Sequence, residues 1–143
     1  MAPQQPRYVG FWRRFIAFLV DSLVILPILI AITMGLYRHS GDWLAMLMAS
    51  AENFWVNYGL PAAFTLLFWL LKSATPGKMI VDAVIVDATT LQKPTPWQLL
   101  IRYLSYYISA FFLLLGFVWI ALDSRKQGWH DKLAGTVVIE RQR

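Results

Sequence analysis

The chain has 143 residues, 58% of them apolar and only 15% charged, with a net charge of +5 and no cysteine. Soluble domains average about 45–50% apolar and about 25% charged, and so short a chain has too little interior to hide that surface from water, so the composition excludes both an ordinary soluble domain and a disordered one. The missing cysteines exclude disulfides, thiolate metal sites and cysteine nucleophiles, and His39 and His130 are too few for a polyhistidine metal centre.

Three apolar stretches follow in chain order, and the positive charge fits their cationic flanks better than it fits a nucleic-acid surface. Residues 15–37 outreach a hydrocarbon core of about 30 Å at about 1.5 Å per residue, with Pro27 a candidate kink. A cleaved signal peptide headed by Arg13-Arg14 is the rival reading of this stretch. The run is longer than a signal core and no A-x-A site closely follows it, which weighs against that reading. Residues 54–71 are at the short end of the spanning range and contain Asn57 and Pro61. Residues 97–122 form the third stretch, uncharged from Tyr103 onward and interrupted by Ser105, Ser109 and Gly116. Tryptophans near the segment ends, Trp69 and Trp129 among them, read as interfacial belts.

Lysine and arginine counts set the orientation. Arg7, Arg13 and Arg14 precede the first stretch, Arg38 alone follows it, and Lys72, Lys78, Lys93 and Arg102 fill the second loop. This places the amino end and second loop in the cytoplasm. Arg125, Lys126, Lys132, Arg141 and Arg143 draw the tail there too, whereas three plain crossings put it outside. Residues 79–88 and 136–140 are rich in β-branched side chains and read as strands. Their pairing as a small cytoplasmic β element also requires them on one side, with Asp82 and Asp87 as solvated surface charges. An even number of passes resolves the conflict if 97–122 is a hairpin or re-entrant element turning near Ser105–Ser109, because covered non-helical backbone is tolerated at membrane depth. The alternative is a plain third span with an outside tail. The expected fold is thus one α-helical integral membrane domain over residues 1–143, with three to four embedded helical segments.

Asp21 lies about 9 Å into the first helix, where an ionised group costs about 2.5–3.5 kcal/mol at mid-helix. It is either an ion or proton site or a structural acid paired with a cation from another element. Arg14, seven residues earlier, points within about 20° of the same direction but is about 10.5 Å away along the axis, so each charge needs a partner from elsewhere. Ala17 between them is small enough to admit close packing. Thr75-Pro76-Gly77-Lys78 is a turn in which Lys78 either meets phosphate or lipid headgroups or is a solvated interfacial lysine. It is not a P-loop. His130 beside Asp131 hints at acid–base work, but neighbouring side chains diverge and no nucleophile motif accompanies them.

These motifs together resemble the RDD family of small bacterial and archaeal membrane proteins. R-x-x-A-x-x-x-D appears as Arg14 to Asp21, T-P-G-K as Thr75 to Lys78, and H-D-x-x-A-G-T as His130 to Thr136. The resemblance covers nearly the whole chain and implies a charge network of Arg14, Asp21 and Asp131, with Lys78, His130 and Arg102 as supporting candidates. It also implies a multi-pass protein of the bacterial or archaeal inner membrane. Some family members are associated with sodium–proton exchange, so the implied partner is a monovalent cation, with Asp21 as its site. For transport, so short a chain implies a homo-oligomer, a dimer first, or a larger partner to build the solute path. The competing expectation is a non-transport adaptor or assembly protein whose charged set is structural. No enzyme, cofactor, metal or nucleic-acid role is expected.

Overall fold

The computed structural model describes residues 6–38, 41–112 and 114–141. Its elements are α1 (Phe11–Leu36), α2 (Trp43–Ala51), a π-helical turn (Trp55–Gly59), α3 (Leu60–Lys72), α4 (Pro76–Ile80), β1 (Ala83–Asp87), α5 (Pro96–Phe111), α6 (Leu115–Leu122), α7 (Trp129–Ala134) and β2 (Thr136–Glu140). The described residues are mostly helical, and among them the sheet holds only β1 and β2.

α1 runs 26 residues, about 39 Å, and is unbroken at Pro27. Ala17 is its only fully buried residue, and Leu23 on its flank is 75% exposed. A monomer in water rarely shows so much continuous apolar surface; in a bilayer, lipid covers it. Among the described residues α1 is the one helix long and apolar enough to cross a membrane alone. The second stretch is α2 joined to the π turn and α3, bent by 69°. The third is α5 and α6, whose axes differ by 101°. Its turn follows Phe111, not Ser105–Ser109 as expected: both serines are buried within α5. There Ser109 faces α6, where a Cβ on Gly116 would sit 2.5 Å from its hydroxyl. Gly116 therefore permits the close crossing that Ser109 shares.

β1 and β2 pair antiparallel, with Ala83 opposite Glu140 and Asp87 opposite Thr136. The expected strand 79–88 is shorter in the structure. Pro76 supplies a preset first helical residue, so α4 takes 76–80, and Asp82 at φ 50° turns the chain into β1. Both sheet edges are covered. The Ile85 N–H donates to the Ser73 carbonyl at 2.7 Å, and on the far side the Val9 N–H donates to Val138 and the Glu140 N–H to Arg7, each at 2.9 Å. The segment before α1 is thus joined to the carboxyl-terminal strand. Asp87 is not merely solvated: it accepts from the Thr89 and Thr90 N–H groups and from the Gln98 side chain. Those bonds, from Thr90 first and then Gln98, lower its pKa to about 2.

Val9, Trp69, Ala83, Ile85, Leu99 and Val138 form the core where the sheet meets α3 and α5. Trp69 is fully buried there and is not an interfacial belt residue.

Candidate functional site

Asp131 is the centre of the site and is fully buried. The short α7 brings its carboxylate between α1 and α5. One oxygen accepts from Arg14 at 2.5 Å and from the Gly128 N–H at 3.0 Å; the other accepts from Arg102. Burial opposes its charge, but Arg102 and then Arg14 outweigh that and hold the carboxyl below the ordinary range. Each arginine has further acceptors. Arg14 donates to the Val9 carbonyl at 2.9 Å and to that of Lys126. Arg102 donates to the Thr136 hydroxyl at 2.9 Å and lies 5.2 Å from the Trp69 ring centre. A planar guanidinium fork suits such divided bonding.

His130 is also buried, with its Nε2 3.6 Å from Asp131 and its ring against Tyr106 and Phe117. Burial lowers its pKa to about 3, so the imidazole is neutral at physiological pH. A Cβ on Gly128 would come within 2.6 Å of that ring and 2.8 Å of the Gly116 carbonyl, so this turn closes only with glycine.

Asp21 is elsewhere. Its carboxylate accepts from the Thr75 hydroxyl at 2.5 Å and the Gly77 N–H at 2.7 Å. These are neutral donors at the start of α4, where backbone N–H groups lack helical partners. Among the described residues Asp21 makes no ion pair, so the cation partner that a structural acid would take from another element is not seen. Gly77 allows the approach: a Cβ there would lie 1.9 Å from the Ala17 carbonyl. Ala17 therefore admits α4 to the face of α1, as its small size suggests. Lys78, partly buried, follows with its ammonium 5.9 Å from the Trp69 ring centre. Burial lowers its pKa, with Tyr106 opposing and the Arg102 charge adding to the shift.

The six candidates thus divide into a clasp of Arg14, Asp131 and Arg102 with His130 beside it, and an Asp21–α4 contact flanked by Lys78. Sequence reasoning gave Arg102 too small a part and missed Thr75, Gly77 and Thr136 as partners. It also missed Arg13, which bonds Glu140 and the Val81 carbonyl, and Arg125, which stacks on Tyr8 and reaches the Ala88 carbonyl at 2.5 Å. One signal for Arg102 was available: it shares a helical face with Leu99, Ser105 and Ser109.

A long lipid-ready helix, bent apolar helix pairs and a charged clasp under a two-stranded sheet define a helical membrane protein. The RDD family profile matches residues 8–135, and the chain belongs to the RDD family. It is 35% identical over 104 residues to the uncharacterized protein RP437 of Rickettsia prowazekii, covering 73% of this chain and 58% of that protein. It is 31% identical over 140 residues to the uncharacterized membrane protein YteJ of Bacillus subtilis, covering 92% of this chain and 80% of that one. No solved structure matches the chain.

Proposed function

We propose that this chain is a multi-pass, non-catalytic assembly or adaptor protein of a bacterial or archaeal inner membrane, with both ends in the cytoplasm and a structural charge clasp. The observation that carries this is the fully buried Asp131 carboxylate shared by Arg14 of α1 and Arg102 of α5. Buried ion sets resist substitution of one member and fix one arrangement of the elements that contribute them. A carboxylate already occupied by two guanidinium groups is poorly suited to bind and release a cation.

The topology reading rests on the bonds between residues 7–9 and 138–140. If α1 crosses the bilayer, these ends share a side only with an even number of crossings. α3 with its bent approach supplies the return. α6, with eight residues and about 12 Å, is too short to cross. α5 and α6 then form a re-entrant element that enters and returns on the side of the sheet.

One observation favours a second reading, sodium–proton exchange by a homodimer. Asp21 lies on the membrane helix with neutral donors on its carboxylate and, among the described residues, no ion pair, which leaves its charge open to a proton or a cation. Ion flux from purified protein in liposomes separates the two readings, with mass measured in mild detergent. The assembly reading expects no flux above empty liposomes. Flux that Asp21→Asn abolishes, while folding and abundance stay normal, would replace it with the exchanger.

A further inference from the structure

α2 lies at the end of α1 away from the sheet, apart from the clasp and the Asp21 contact. Its nine residues reach about 14 Å, too short for a hydrocarbon core of about 30 Å. Residues 55–72 reach about 27 Å by themselves and carry no charge before Lys72, so the return crossing does not need α2. The chain bends by 69° between the two. A carboxylate stands at each end of α2. Asp42 caps its start, accepting from the Leu44 N–H at 2.9 Å, and Glu52 follows its last turn. Both are exposed. Between them Trp43, Leu44, Leu47 and Met48 are exposed too, Trp43 by 73%. An upright α2 would sink one carboxylate into hydrocarbon, which is costly; a helix lying flat keeps both at the water interface and its apolar side chains in lipid.

The bend is held by hydrogen bonds. The Asn57 amide donates to the carbonyls of Ser50 at 2.7 Å, Asn53 at 2.9 Å and Ala51 at 3.1 Å. Ser50 and Ala51 end α2, where carbonyls lack helical partners. The Tyr37 hydroxyl, just past α1, donates to the Ala49 carbonyl at 3.2 Å and accepts from the Asn53 amide at 3.0 Å. α2 is thus fixed at the level where α1 ends and the return helix begins.

We propose that α2 is a lipid-binding surface lying in the plane of the leaflet far from the sheet, its apolar body in the outermost hydrocarbon and its two carboxylates among the headgroups, with Asn57 holding the bend. Two measures along the chain agree with that level. Asp21 lies about 24 Å along α1 from Tyr37, and Lys72 about 26 Å along the return helix from Trp55. Both therefore come close to the near boundary of a core of about 30 Å. The acid that contacts α4 and the lysine that ends α3 share one depth. This placement rests on α1 crossing the bilayer, and on neither the assembly nor the exchange reading.

The test uses the full chain in nanodiscs of phosphatidylcholine. The protein has no cysteine, so a bimane fluorophore can be placed singly on Leu47→Cys, Met48→Cys or Ile28→Cys, the last 47% exposed on α1. Quenching is compared between lipids carrying a nitroxide near the headgroup and near the chain end. The two α2 labels should be quenched more by the shallow nitroxide. The Ile28 label, about 14 Å along α1 from Tyr37, should be quenched more by the deep one. Asn57→Leu should shift the Leu47 label toward the deep nitroxide; an unchanged depth there removes the amide from the account. Deep quenching on α2 together with deep quenching at Ile28 overturns the placement alone and makes α2 part of a broken span. Quenching of the α2 labels by neither lipid overturns it in favour of a protein cover, a second copy included. A shallow Ile28 removes the crossing itself and the placement with it.

Discussion

At the scale of the residue, Asp21 and Asp131 are both carboxylates that contact α1 or lie on it, yet their partners differ in kind. Asp131 answers two buried charges; Asp21 answers a hydroxyl and a backbone N–H. Gly77 decides the second contact. Gly77→Ala pushes a methyl to 1.9 Å from the Ala17 carbonyl, and should destabilise the protein by about 3 kcal/mol, the upper end for overpacking. Ala17→Gly should not rescue it, because the clash is with backbone; reversible unfolding in bicelles measures both. His130 sets the acid limit. Its pKa falls from 6.5 to about 3 on folding, so between those values the unfolded chain holds the extra proton and stability falls as pH drops. The loss should approach about 3 kcal/mol by pH 4. Asp131, lowered from 3.8, adds a further loss as pH falls below that value. Unfolding against pH should therefore lose its upper slope in His130→Gln and keep the Asp131 loss below about pH 4.

At the scale of the element, antiparallel register gives a direct test in a chain without cysteine. Val84→Cys with Ile139→Cys, opposite each other, should crosslink on mild oxidation, and Val84→Cys with Val137→Cys should not. Equal crosslinking of both pairs would contradict the register. The β2 run Thr136–Glu140 was legible in full because Gly135 ends α7 before it and every strand residue up to Ile139 is β-branched. Residues 79–81 were not, since a short apolar run suits a helix end as well as a strand, and Pro76 settles it for the helix. The third stretch, read from residue 97, met the start of α5 to within one residue, although Arg102 was counted with the loop; Thr95 and Gln98 mark that start with a capping box around Pro96. The partners of Asp21 were not legible, because Thr75 and Gly77 reach it across more than fifty positions and no local pattern reports such a contact.

At the scale of the whole molecule, two arrangements follow from the bonds between the ends. Single cysteines placed at Pro6 and at Arg141 should both resist a membrane-impermeant thiol reagent in intact cells and react after permeabilisation; opposite behaviour of the two would break the even-crossing topology. The clasp is the larger claim, because Arg14, Asp131 and Arg102 tie α1 and α5 to the segment that carries β2. The most direct measurement is a double-mutant cycle by reversible unfolding in bicelles on Asp131→Asn, Arg102→Gln and the pair. The account predicts that Asp131→Asn alone costs about 3–5 kcal/mol, because it strands two buried cations, and that adding Arg102→Gln recovers part of the loss. An Asp131→Asn protein as stable as the parent, with no coupling to Arg102, would contradict it.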